Sequence, residues 1–340
     1  DAGEEFTWDR STRRYGFDFY SAHLQLYNKG RFKSIALGDY QLQIGQGLLL
    51  SSGYSVGKGS ETITTVSRAN LGIRPYSSVL EYAFFRGGAV TYTLGKVDIT
   101  GFYSNKRIDA NLQAQQDTLS RFSDFFTGFQ TTGFHRTPTE MANKDQVREQ
   151  IYGTNFNYLS RGRTLTVGVT ALGTQYSSPI QKAGAAYQRF EFGGTHNYNI
   201  GTNYSYTWQN VYLFGETAVS KSGGMGTVNG LIANLSNKVE LAMVYRNYAR
   251  DFHTFYGGAF GEATRNINER GFYTGIKLKP FARWELTAYY DRFRFPWLRY
   301  RVDAPSHGDE YLVRLYFKPN RQSSLYAQFR TESKGLNMAN

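Results

Sequence analysis

Five histidines, His23, His135, His196, His253 and His307, are the side chains best suited to proton transfer or metal ligation in this sequence. None has a second ligand at a spacing such as His-x-x-x-His, which would set two imidazoles side by side around an ion, so no metal site is predicted. Asp251 with His253, and Asp303 with His307, have the types of a base and its orienting carboxylate. They fall in polar loop-like segments, where Asp and His residues are common. No catalytic residue is therefore assigned, and an enzyme is not expected.

The segment GYSVGKGS at 53–60 is superficially a phosphate-binding loop. It has three residues between Gly53 and Gly57 where the motif needs four, and Gly59 follows the lysine where Ser or Thr should stand. A flexible loop is the expectation, and no cofactor is predicted. At 292–301, RFRFPWLRYR alternates cations with rings. Arg292, Arg294, Arg299 and Arg301, with Trp297, could grip the phosphates of lipopolysaccharide, or could be an aromatic girdle whose arginines reach into headgroups; the second reading is favoured. Between Gln113 and Val147, Phe122, Phe125, Phe126 and Phe129 are spaced three, one and three apart, which predicts one apolar face on a short helix. Such a face needs a cover, either inside a lumen as a plug or against a partner protein.

The elements that must position these residues have period two. In 238–248 the odd positions Val239, Leu241, Met243 and Tyr245 are apolar, and the even ones include Lys238, Glu240 and Arg246. In 282–292 Trp284, Leu286, Ala288 and Tyr290 alternate with Arg283, Glu285, Thr287 and Asp291. Residues 310–318 and 163–173 alternate in the same way, which is the pattern of a strand with one apolar and one polar face. Seven tight turns, at 28–30, 94–96, 160–162, 208–210, 236–237, 279–281 and 319–322, alternate with mostly long loops and imply fourteen strands. The expected spans are 16–27, 32–45, 81–93, 97–107, 149–159, 163–175, 196–207, 210–220, 225–235, 238–248, 268–278, 282–294, 308–318 and 323–333.

Composition agrees with a membrane wall. Tyr (27) and Phe (25) dominate in a chain of 340 residues with 16% aromatics, yet mean hydropathy is −0.50. Amphipathic rings at two interfaces and a single apolar face account for both. No run approaches the roughly 20 apolar residues of a membrane helix. The absence of cysteine excludes disulfides and thiolate metal sites and suits an oxidising envelope. The net charge of +12 fits lumenal cations or contact with anionic lipid. Residues 1–340 are read as one domain, an all-β, transmembrane antiparallel up-and-down barrel. Because the first and last strands both place their free ends on the long-loop side, the expectation is a fragment of a barrel of 16 or more strands.

The stretches DAGEEF (1–6), GFDFYSAHL (16–24), ALGDYQLQIGQGL (36–48), IRPYSSVLEYAFFRGGAV (73–90) and GFYSNKRIDAN (101–111) resemble the barrel region of outer-membrane proteins of Bacteroidota called helix-hairpin-helix domain-containing proteins. The likeness is densest over the first 110 residues. It implies an outer-membrane location and further strands, with the helix-hairpin-helix part, ahead of this stretch; that part itself is absent here.

Three functions follow as expectations. The first is a porin-like channel or transport pore, with a mildly anion-favouring lumen lined by Lys238, Arg246, Lys277, Arg283 and Arg314, tempered by Glu240, Glu285 and Asp291. The second is a non-conducting structural or export-linked subunit of an envelope complex. The third is uptake of nucleic acid, for which this chain holds no groove-reading or base-stacking motif. Expected partners are outer-membrane lipid, lipopolysaccharide and, in the second reading, other envelope proteins.

Overall fold

The structure, a computed structural model, describes residues 6–10, 14–17, 19–52, 57–78, 80–114 and 124–337. Two short strands, β1 (Thr7–Asp9) and β2 (Arg14–Gly16), pair with each other alone. The wall begins with β3 (His23–Lys29) and β4 (Phe32–Gln43); β5 (Gly72–Pro75) adds to the end of β4, and β6 (Phe85–Leu94) pairs along the rest of it. β7 (Val97–Ile108) follows, and then β8 (Ala110–Ala114) and β9 (Asp124–Phe129) form a side hairpin. After a one-turn helix α1 (Pro138–Asn143) come β10 (Val147–Leu159), β11 (Leu165–Ile180), β12 (Gly194–Trp208) and β13 (Val211–Ser220). The wall ends with β14 (Met225–Ser236), β15 (Val239–Tyr248), β16 (Glu269–Leu278), β17 (Trp284–Phe295), β18 (Ser306–Phe317) and β19 (Leu325–Lys334).

Setting aside β1, β2, β5, β8 and β9, fourteen strands form one antiparallel ladder from β3 through β7 to β10 and on to β19. Each expected span overlaps one of them. The largest shifts are at β3, which starts at His23 rather than near residue 16, and at β11, which runs on to Ile180. Tight turns need a left-handed residue, and Asn28 (φ 52°), Gly95 (φ 63°) and Gln209 (φ 51°) supply it at three of the hairpins. β3 and β19, the first and last members of the ladder, are exposed along almost their whole length.

The two faces of the wall differ as period two requires. One outward row runs Met243, Thr274, Tyr290 and Tyr311 across β15 to β18, and the next two run Leu241, Ile276, Ala288, Val313 and Val239, Leu278, Leu286, Leu315. From Trp284 at one end to Arg292 at the other, this face covers eight residue steps of β17. At about 3.4 Å per residue and a tilt of about 40°, that is roughly 20 Å along a membrane normal, close to the apolar band of a spanning barrel. Large side chains stay exposed on it, among them Tyr245, Phe272, Tyr290 and Val313. Such a surface needs hydrocarbon around it.

The other face turns inward around a core. Ala36 and Tyr40 of β4, Phe102 of β7, Ile151 of β10, Phe214 of β13, Val244 of β15 and Leu312 of β18 belong to one buried cluster, so strands far apart in the ladder converge on a common interior. The wall therefore wraps around.

The expected short helix over Phe122 to Phe129 is not formed. Residues 124–129 are strand β9, paired with β8, and Phe122 lies outside the described residues. The three, one, three spacing also fits a strand here, because tertiary cover is available on both sides. Phe126 is buried against Tyr176 of β11, while Phe129 meets Tyr176 and Phe255.

Candidate functional site

Fourteen strands enclose more space than wall side chains fill, and here two loops occupy it. The first follows β4 and is described at 44–52 and 57–71; the second joins β15 to β16 and spans 249–268. Leu48, Leu49, Leu50, Ile63 and Val66 of the first and Phe252, Ala259 and Phe260 of the second are buried in the same cluster as the inward wall residues. The loops also bind each other. The Ser51 amide donates to the Tyr256 carbonyl (2.8 Å) and the Gly258 amide to the Gly47 carbonyl (2.8 Å).

Two sets of contacts hold this plug to the wall. On β13, the buried Glu216 carboxylate accepts the backbone amides of Gln46 (2.6 Å), Leu48 (3.1 Å) and Leu49 (3.3 Å). The chain can present three amides to one carboxylate because Gly45 (φ 60°) and Gly47 (φ 76°) are left-handed. A Cβ on Gly45 would lie 2.6 Å from Glu216 Oε2.

Across the lumen, Lys58 reaches the inward faces of β17 and β18. Its Nζ donates to Asp291 Oδ2 (2.8 Å) and Glu310 Oε2 (2.5 Å), and closely to Glu262 of the second loop. Each carboxylate has a further partner. Asp291 accepts two hydrogen bonds from Arg246 (2.8 and 3.0 Å); Glu310 accepts from Arg330 Nε (2.6 Å) and the Tyr289 hydroxyl (2.5 Å); Glu262 pairs with Lys334 (2.5 Å). Arg246 also bonds Glu269, whose carboxylate accepts the amides of Glu262 (2.8 Å) and Ala263 (2.9 Å). Burial alone would lower the pKa of the Lys58 ammonium, but Asp291, Glu262 and Glu310 outweigh it and raise it above the ordinary value. Burial works equally against the charged form of Glu262, yet Lys334 and Lys58 hold that carboxyl down at about 2. Carboxylate oxygens of Glu262, Glu310 and Glu332 lie within 4.8 Å of one another. Lys58, Lys334 and Arg330 already supply cations there, which makes the cluster an ion-pair network.

Further along the first loop, the Thr62 carbonyl accepts the Tyr273 hydroxyl (2.9 Å), Glu61 accepts from Lys277 (3.3 Å), and the Ser60 hydroxyl accepts from Arg314 (2.7 Å). Of the lumen residues expected from sequence, Arg246, Lys277, Asp291 and Arg314 thus face inward and grip the plug or one another. Glu285 lies beside Lys277 (3.8 Å), and Glu240 pairs with Lys279 (3.5 Å) near the short-turn end. Lys238 and Arg283 are in the short turns themselves, exposed, with Arg283 left-handed at φ 72°. Neither lines the interior, because alternation stops where the turn begins. The inward cations are matched by carboxylates or bound to loop atoms, so they do not form a free anion track.

The girdle residues divide by parity. Phe293 and Phe295 are buried and face inward, whereas Arg292 and Arg294 are exposed on the outer face. Arg299 stacks on Phe295 (3.7 Å), Arg301 lies against Tyr300 (5.2 Å), and Trp297 donates from Nε1 to the Ala186 carbonyl (3.1 Å). The two Asp and His pairs are not formed. His253 Nε2 contacts the Phe190 carbonyl (2.8 Å), and Asp303 accepts from Asn337 (2.8 Å) while His307 faces outward. His23 shares the inward side with Gln25, whose amide donates to Ser34 (3.0 Å), but His23 itself is exposed. Of the glycine-rich segment 53–60, expected to be a flexible loop, residues 57–60 are part of the plug and 53–56 lie outside the described residues.

No protein-family model matches the chain, and no curated protein matches it. Among solved structures it is similar to the outer membrane protein opdK from Pseudomonas aeruginosa, at 8% identity and a TM-score of 0.46 over 89% of this chain and 72% of that one. It is also similar to OccK3 (OpdO) of the same organism, at 9% identity and a TM-score of 0.45 over 92% and 74% of the two chains. OccK9 (OpdG) of that organism gives 10% identity and a TM-score of 0.43 over 90% and 70%.

Proposed function

We propose that this chain is an outer-membrane, porin-like transport barrel whose lumen is occupied by a plug built from its own loops, so that solute passes only when the plug shifts. The observation that carries the reading is the burial of Leu48 to Leu50, Lys58 and Phe260 inside a wall whose opposite face is an apolar belt. An apolar plug surface alone would be a permanent core. Here a large share of the contact is ionic and hydrogen-bonded, through Glu216, Lys58, Lys277 and Arg314, and such contacts can exchange for water when the plug moves.

The filled interior also suits the second reading, a non-conducting structural subunit, and conductance separates the two. In a planar bilayer the full chain is expected to give small or brief openings. The double variant Lys58→Met with Glu216→Leu is expected to give large, sustained ones. Silence from that variant, shown to be folded by its heat-modifiable gel mobility, would refute transport and leave the structural reading.

A further inference from the structure

On the outer face of the wall, just beyond the apolar belt, cations stand opposite one another. Arg270 of β16 is the direct cross-strand partner of Arg294 of β17, and Arg294 is that of His307 of β18. One step toward the belt, Arg292 lies between Phe272 and Asp309. Arg270, Arg292, Arg294 and His307 are all exposed. Like charges placed directly opposite in a sheet repel and destabilise it. The wall tolerates the row where a counter-charge can be supplied from outside.

The position of the row says what supplies it. The next outward rows contain Phe272 and then Tyr290 with Tyr311, rings that mark the boundary of the hydrocarbon. The arginines are at the long-loop ends of their strands, two to four residues beyond the rings of the same strand, which is headgroup depth. A guanidinium pair at that depth offers paired, planar N–H donors matched to a phosphate.

We propose that Arg270, Arg292, Arg294 and His307 form a binding site for the phosphate of an outer-leaflet lipid headgroup, held against the barrel with its acyl chains along Phe272, Tyr290 and Tyr311. The occupant is a phosphorylated membrane lipid. The proposal requires that the wall be embedded in a membrane, and it is independent of whether the lumen conducts.

The test uses the full chain in neutral-detergent micelles, with diphosphoryl lipid A as the probe and its dephosphorylated form as the control. Retained lipid is read by native mass spectrometry. The phosphorylated form is expected to be retained and the control not. The double variant Arg270→Gln with Arg294→Gln is expected to weaken retention by about tenfold or more, the effect of losing charge-assisted hydrogen bonds. Arg270→Lys with Arg294→Lys keeps the charge and is expected to restore much of the binding, and heat-modifiable mobility establishes that each variant is folded. Equal retention of the dephosphorylated lipid, or unchanged retention by the folded glutamine variant, would overturn the site. Displacement by an equal concentration of inorganic phosphate would overturn its assignment to a lipid.

Discussion

Lys58→Met removes the charge that ties the plug to β17 and β18 and keeps an apolar stem to lie against the Phe293 ring, 5.0 Å from the ammonium. Withdrawing one partner from a buried ion pair costs about 3–5 kcal/mol. Asp291 retains Arg246, Glu310 retains Arg330 and Tyr289, and Glu262 retains Lys334, so the lower end, about 3 kcal/mol, applies here. The cost falls on the docked plug alone, since an undocked Lys58 would be in water. At about 1.4 kcal/mol per decade, the docked-to-undocked ratio drops about a hundredfold. Two assays read that shift. Open probability in planar bilayers should rise, and so should the rate at which a thiol-specific reagent labels Val66→Cys, a plug position buried while the plug is docked, in a chain without cysteine. Thr202→Ala, on the exposed outer face of β12, should change neither. Unaltered conductance together with unaltered labelling in folded Lys58→Met would show that the ion pairs do not hold the plug.

Glu216→Leu leaves the amides of Gln46, Leu48 and Leu49 without their acceptor, at about 1–3 kcal/mol for each buried group so orphaned; Val66→Cys labelling should rise at least as much as in Lys58→Met. Acid should also loosen the plug. The Glu262 carboxyl is at about 2 when docked, against an ordinary 4.5. Its contribution is thus complete above pH 4.5 and is lost as pH falls toward 2, and conductance recorded down to about pH 3 should increase. A flat profile would count against the Lys58 and Lys334 pairing. Val313→Arg puts a charge in the middle of the outward belt, where about 2–4 kcal/mol of stability is at stake. Urea unfolding in lipid vesicles measures that loss, and a cost near zero would mean that this face does not contact hydrocarbon.

The wall was legible because its signal is local. Leu241 and Met243 against Glu240, or Leu286 and Ala288 against Glu285 and Thr287, announce their faces without any knowledge of the rest of the chain. Alternation puts Arg246 and Asp291 on the polar faces of their strands, but their pairing is not readable, because two opposite charges separated by 45 residues look like lumen lining until the register brings them to 2.8 Å. The plug was invisible for the same reason. Leu48 to Leu50 is a short apolar run and Lys58 stands in a glycine-rich stretch, so both fit an exposed loop; only the hollow they enter turns them into core. The signal that could have been used was Glu216, an acid alternating with Phe214 and Ala218 on the inward face of β13, which must find donors inside the barrel. The phenylalanines at 125, 126 and 129 show a different limit, since their spacing suits a helix or a strand and the cover offered by Tyr176 and Phe255 decides between them.

Lys58 meets Glu262 and Asp291 at 204 and 233 residues further along the chain, and Leu48 meets Glu216 at a separation of 168. None of those anchors exists until β13 to β18 stand in place, and closing loops of that length is entropically slow. The first loop is made early and must wait. The plug can therefore dock only late in assembly, after the strands that carry its anchors have been laid down.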